Sequence, residues 1–139
     1  MNYTRLALAA VIATIVDMIY GYTVYGMLLA GEFSRYPSVF RDMQAVNPNI
    51  PLMAAGVLVA MFAVAYIYGK GYEGGSGLQE GMRFGALLGI FGAGYIAVGD
   101  YVIMNIGRRL AVAMAVAGVL EFVIVGTAVG LVYKPARKP

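Results

Sequence analysis

Four long apolar stretches, residues 6–30, 51–69, 82–106 and 110–133, limit what this chain of 139 residues can become. Crossing ~30 Å of hydrocarbon at about 1.5 Å per residue takes about 20 helical residues, and each stretch meets or approaches that length. In lipid, every backbone N–H and C=O must be satisfied within its own segment, so such stretches become helices. With 61% of its residues hydrophobic and its few charges gathered between and beyond the runs, the chain exposes too little polar surface for a water-soluble domain. The expected fold class is all-α: one polytopic membrane domain with four transmembrane helices in an up-down bundle.

Met1–Arg5 is a short basic start before an apolar run, which raises the alternative of a cleavable signal peptide. That run is too long for a signal core, and bulky Leu28 stands where cleavage after Ala30 would want a small residue. The run is therefore read as the first span. Residues 32–50 form the main polar connection, with Glu32, Arg35, Arg41 and Asp42. There Ser38 is expected to cap a short interfacial helix between helices 1 and 2, whose Phe40, Met43 and Val46 recur at helical spacing until Asn47-Pro48-Asn49 breaks it. The run Gly71-Tyr72-Glu73-Gly74-Gly75-Ser76-Gly77 lacks the Gly-Lys-Ser/Thr ending and preceding strand of a phosphate loop, and reads as a flexible turn. Glu80 and Arg83 stand one turn apart at the mouth of the third span, where they can pair. Gly107-Arg108-Arg109 makes a tight hairpin between spans 3 and 4.

Basic residues in the flanks set orientation. Arg5, Lys70, Arg83, Lys134, Arg137 and Lys138 fall on one side, and Arg35, Arg41, Arg108 and Arg109 on the other. The bias favours both termini in the cytoplasm, in a multi-pass arrangement in a bacterial cytoplasmic membrane. Tyr3, Tyr36, Tyr66, Tyr68, Tyr72 and Tyr133 lie near the expected boundaries, where amphipathic rings anchor a span.

The chain has no Cys and no His. This removes disulfides, thiolate metal sites, imidazole ligation of haem and any His-based nucleophile relay, so no metal, cofactor or enzymatic activity is expected. The net charge of +3 is ordinary for membrane topology and calls for no nucleic-acid partner.

Small residues carry the packing pattern. Gly81, Gly85 and Gly89 recur every fourth residue in span 3 and continue into Gly92 and Gly99. Span 4 has Ala111/Ala115 and Gly126/Gly130, and span 2 has Gly56/Ala60. Such small-xxx-small faces let helix backbones approach closely in lipid.

Three carboxylates, Asp17, Asp100 and Glu121, lie within spans 1, 3 and 4 with no basic residue beside them. An ionisable side chain at the bilayer centre costs roughly 2.5–3.5 kcal/mol on insertion scales, so each marks a buried contact, a proton site or a cation site. Spans 1 and 4 run antiparallel, which puts mid-span Asp17 and Glu121 at matching depth, with Asp100 nearer the non-cytoplasmic side. A neutral acid there can donate to a carbonyl or a tyrosine hydroxyl, with Tyr20, Tyr22, Tyr25, Tyr95 and Tyr101 in the same spans.

The runs Tyr20-Gly21-Tyr22-Thr23-Val24-Tyr25-Gly26-Met27-Leu28 and Leu78-Gln79-Glu80-Gly81-Met82-Arg83-Phe84-Gly85-Ala86 resemble those of small four-helix bacterial integral membrane proteins of unknown function. Those proteins have an aromatic-Tyr-Gly motif after helix 1 and a Gly-rich third helix. The resemblance implies a four-helix fold and carries no activity with it.

Two functions stay open at this level. The density of small-residue faces points to action through helix contacts, as a homo-oligomer or as an accessory subunit of a larger membrane complex, with the bilayer and other membrane subunits as partners. The intramembrane acids point instead to a small proton- or cation-coupled transporter or channel using Asp17 and Glu121, assisted by Asp100.

Overall fold

The computed structural model describes residues 1–133, so the expected basic flank at Lys134, Arg137 and Lys138 lies outside the described residues. Four helices are long and apolar enough to cross a membrane: α1 (Tyr3–Leu28), α2 (Met43–Gly71), α3 (Gly77–Ile103) and α4 (Arg108–Val132). Among the described residues there is no β-strand. Helix α1 packs between α2 and α4, and α4 packs between α1 and α3. The helices therefore form a row in the order α2, α1, α4, α3, in which α3 and α4 make the closest pair.

Glycine makes that pair. A Cβ placed on Gly81 would stand 2.5 Å from the carbonyl oxygen of Gly126, and one on Gly85 or Gly89 would stand 2.8 Å from the Cα of Val123 or Val119. From the other side, a Cβ on Gly126 would meet the Gly85 Cα at 2.6 Å, and one on Gly130 the Gly81 Cα at 2.9 Å. These neighbours are backbone, which cannot rotate away. The ladder extends one step beyond the expected groove, because Gly77 also lies against the Gly130 carbonyl. It stops at Gly92, where a Cβ would meet the Phe122 ring at 3.3 Å, while Gly99 faces open space. Gly56 of α2 likewise has nothing within 4 Å.

Alanine does the same for α1. Ala9, Ala10 and Ala13 are fully buried with Leu6 against Met61, Ala65 and Tyr68 of α2 and Val125 and Val129 of α4. At that end the rings of Tyr68, Tyr72, Phe84 and Tyr133 form an edge-to-face cluster, with Tyr68 at 5.4 Å from Phe84 and 5.9 Å from Tyr133.

The connection between α1 and α2 differs from the expected interfacial helix. Asp42, not Ser38, supplies the cap, accepting from the Ala45 N–H at 2.8 Å, and the turn that follows is the first turn of α2 itself. Asn47-Pro48-Asn49 is crossed as a 3₁₀ turn, because Pro48 falls at its start, where a missing N–H costs little. Phe40 faces protein: its ring lies 4.9 Å from that of Phe33, in a cluster with Ile106, Leu110 and Ala111 at the start of α4. Glu32 pairs with Arg109 at 2.9 Å, and the Tyr36 hydroxyl accepts from the Gly107 N–H at 3.0 Å, so the connection is fastened over the α3–α4 hairpin. At the opposite end Arg83 pairs with Glu73, not with Glu80, whose carboxylate instead accepts backbone N–H groups of Glu73 and Gly75 and closes the Gly-rich turn.

The glycine ladder makes a sharp prediction. Gly85→Ala should destabilise the protein by about 1–3 kcal/mol through overpacking against backbone, while Gly56→Ala, with open space around it, should stay within about 0.5 kcal/mol. Reversible unfolding in mixed micelles measures both.

Candidate functional site

The two acids expected at matching depth, Asp17 and Glu121, lie on the facing helices α1 and α4. Counted at about 1.5 Å per residue from the end of the bundle that carries the 29–42 connection, Asp17 sits ~16 Å deep and Glu121 ~20 Å deep. Both are half-buried, and Asp17 is within electrostatic reach of Glu121 and Tyr25. Asp100 is elsewhere. It lies about one turn from the end of α3, roughly 15 Å shallower than Glu121 along the bundle. No side-chain hydrogen bond or ion pair joins it to another group among the described residues.

Two phenols from α1 fasten onto one face of α4. The Tyr25 hydroxyl donates to Glu121 Oε2 at 2.9 Å, and the Tyr20 hydroxyl donates to the Ala117 carbonyl, one helical turn away, at 2.8 Å. The two rings meet edge to face with centroids 6.2 Å apart, and Tyr25 makes a similar contact with Phe33 at 6.4 Å. Of the five tyrosines expected as partners of the acids, Tyr22, Tyr95 and Tyr101 point outward, Tyr95 with 76% of its surface exposed.

The Tyr25–Glu121 pair lines a cleft of about 320 Å³ between α1, α3 and α4. Its walls are apolar: Phe33 closes one side, Ile96 and Ala97 come from α3, and Met114, Gly118 and Phe122 from α4. Tyr25 and Glu121 are the polar side chains on its lining. Both flanking helices are locally wound as π-helix where they border it, at Val24–Leu28 in α1 and Ala93–Ala97 in α3. In the first, the Leu29 N–H reaches back to the Val24 carbonyl at 2.8 Å. A π turn takes in one extra residue, which displaces side chains from the α-helical stripe, and such turns concentrate at functional sites.

Sequence reasoning reached both acids and included Tyr25 among their possible partners. It did not reach the π turns or Phe33. Glycines flank or enter both π turns, at Gly26, Gly92 and Gly94; of these, Gly92 was read as a packing position and Gly26 only as part of the run after helix 1. Phe33 ends a short helical turn, Ala30–Phe33, that follows the π turn of α1 and lies beyond the expected first span.

Chemically, the cleft presents a hydrogen-bonded carboxyl in an apolar wall, able to hold a proton or to face a positive charge. Among the described residues no three His, Cys, Asp or Glu side chains converge on a point that could hold a metal ion. No protein-family model matches the chain, and the searches of curated proteins and of solved structures found no similar protein.

The Tyr25–Glu121 bond is testable by a double-mutant cycle. Tyr25→Phe and Glu121→Gln should show a coupling of about 0.6–2 kcal/mol in unfolding free energy, while Asp100→Asn should combine additively with either to within about 0.5 kcal/mol.

Proposed function

We propose that the chain is a small proton- or cation-coupled membrane transporter whose working group is Glu121, oriented by Tyr25 and assisted by Asp17. One observation carries this reading: the Glu121 carboxyl, besides accepting the Tyr25 hydrogen bond between α1 and α4, lines a cleft large enough for a small solute. An acid that served only to pin two helices would gain nothing from an adjoining void, whereas a carrier needs space beside its titrating group. The glycine ladder supports the same reading, because the small-residue faces of α3 and α4 are occupied by each other and are not free to recruit a partner. Asp100, expected to assist, is assigned no part in the site. The chain is proposed to work in a bacterial cytoplasmic membrane with both termini in the cytoplasm.

The mechanism follows from the geometry. Protonated, Glu121 is neutral and compatible with its apolar wall. Deprotonated, it keeps the Tyr25 hydrogen bond but needs a positive charge nearby, which a cation entering the cleft supplies. Binding of a proton and binding of a cation are then alternatives at one carboxyl, the minimum required for exchange.

A second reading, action as a homo-oligomer or accessory subunit, draws on α2. That helix lies at the end of the row, and its Gly56 and Ala60 are exposed. A particle larger than one chain in mild detergent, reduced to a monomer by Gly56→Leu, is the outcome expected on this reading; a monodisperse wild-type monomer that co-purifies with nothing would remove it.

The transport reading is tested in proteoliposomes loaded with a pH-sensitive dye. Glu121→Gln should lower proton-coupled flux by about tenfold or more and Asp17→Asn should also slow it, with Asp100→Asn close to wild type. Equal flux in wild type and Glu121→Gln would end the proposal.

A further inference from the structure

The lining of the cleft narrows what can enter it. Resting on the transporter reading above, we infer that its ligand is a small lipophilic organic monocation, with an ammonium-type head and an apolar body, that competes with a proton for Glu121.

Three properties of the cleft lead there. The first is charge: one carboxylate is present and no Lys, Arg or His is on the lining, so the complementary ligand carries a single positive charge. The second is the scarcity of polar partners. Calcium takes about 6–8 oxygen ligands, and magnesium demands about six in near-octahedral array. The lining side chains offer one carboxyl and one phenol whose proton is already committed to that carboxyl. A hard metal ion would leave most of its coordination unmet, whereas a quaternary or alkylated ammonium requires no hydrogen bond. The third is the wall. Tyr25, Phe33 and Phe122 supply three aromatic rings, whose faces attract a diffuse cation, and Ile96 and Met114 supply contact for an apolar body. At about 320 Å³ the cleft is at the small end of ligand sites, which run roughly 300–1,000 Å³.

Proton competition follows from the surroundings of Glu121. The titratable groups around it are Tyr25, which donates to it, Tyr20 one turn along the same face, and, outside the cleft lining, Asp17, all on α1. Helix α3 and the segment carrying Phe33 present only apolar side chains or glycine to the cleft. Glu121 is thus the group at which proton and cation exclude one another, and Asp17 adds negative potential from the side.

The probe is benzyltrimethylammonium, with neopentylbenzene as its neutral isostere, titrated by calorimetry against the whole protein in dodecylmaltoside and in phosphatidylcholine nanodiscs. The expected result is saturable one-to-one binding that weakens from mildly alkaline to acidic pH. Glu121→Gln should reduce the affinity by about tenfold or more, and sodium or calcium should compete no better than their ionic strength predicts. Gly118→Leu adds bulk where the nearest neighbour of a Cβ, the Tyr25 hydroxyl, is 3.9 Å away, so it should fill the cleft, spare the fold and abolish binding of the probe. It keeps the test decisive if Glu121→Gln proves unstable. Neopentylbenzene binding as tightly as the cation would overturn the inference and mark a cleft for lipid chains; undiminished binding of the cation by folded Glu121→Gln or Gly118→Leu would overturn it as well. Proton flux in vesicles without any binding of the cation would refute the ligand class and leave the transporter reading standing. Binding with all the expected features but without flux would uphold the ligand class and refute transport.

Discussion

The approach of α3 to α4 is the constraint on which the rest of the molecule depends. In lipid no hydrophobic effect drives two apolar helices together, so close packing and the contacts it permits must do so. Gly77, Gly81, Gly85 and Gly89 remove side chains from one face of α3, and Gly126 and Gly130 remove them from α4, until backbone lies on backbone. The ladder also defines where closeness ends. Beyond Gly89 the next position on the face, Gly92, meets the ring of Phe122 and not backbone. The π turn of α3 begins one residue later, at Ala93. The helices stop interlocking there, and the cleft starts where the ladder stops.

Helix α1 completes the cleft by a different chemistry. Its first half packs through alanines and carries no polar contact to α4 within the core cluster. Its second half reaches α4 through the phenols of Tyr20 and Tyr25, long side chains that span a wider gap and end in a hydrogen bond. One helix thus meets its neighbour through small residues at one end and through long phenol side chains at the other, where a carboxyl stands beside a cleft.

Much of this was legible in the sequence, and the parts that were not have a common origin. The four spans followed from length and hydropathy because the cost of unsatisfied backbone in lipid allows few alternatives. The α3–α4 contact was readable from Gly81, Gly85 and Gly89 because a strict four-residue repeat has one meaning on a helix. Gly56 and Gly99 carry the same residue type and face open space, so a small residue permits a close contact without requiring one. The cap at Asp42, the Arg83–Glu73 pair and the placement of Phe33 depend on how a connection folds back, and no repeat describes that. Asp17 and Glu121 were identifiable as anomalies; that a cleft adjoins Glu121 was not, because it is bordered by two π turns, which interrupt the very periodicity used to read a helix.

The connection between α1 and α2 ties these parts together. Its length is unnecessary for joining two antiparallel helices, which a few residues can do. It turns back over the α3–α4 hairpin, where the largely buried Glu32 meets Arg109 and Tyr36 accepts from the Gly107 N–H at the start of α4. An ion pair whose arginine is mostly in solvent typically contributes about 1 kcal/mol or less. The aromatic succession from Tyr25 through Phe33 to Phe40 adds roughly 0.5–1.5 kcal/mol for each ring pair beyond its burial. The segment is therefore held mainly by its rings, and the ring at its centre, Phe33, is also a wall of the cleft. Whatever enters beside Glu121 must touch the residue that fastens the connection, so occupancy of the cleft and the position of the connection are physically linked.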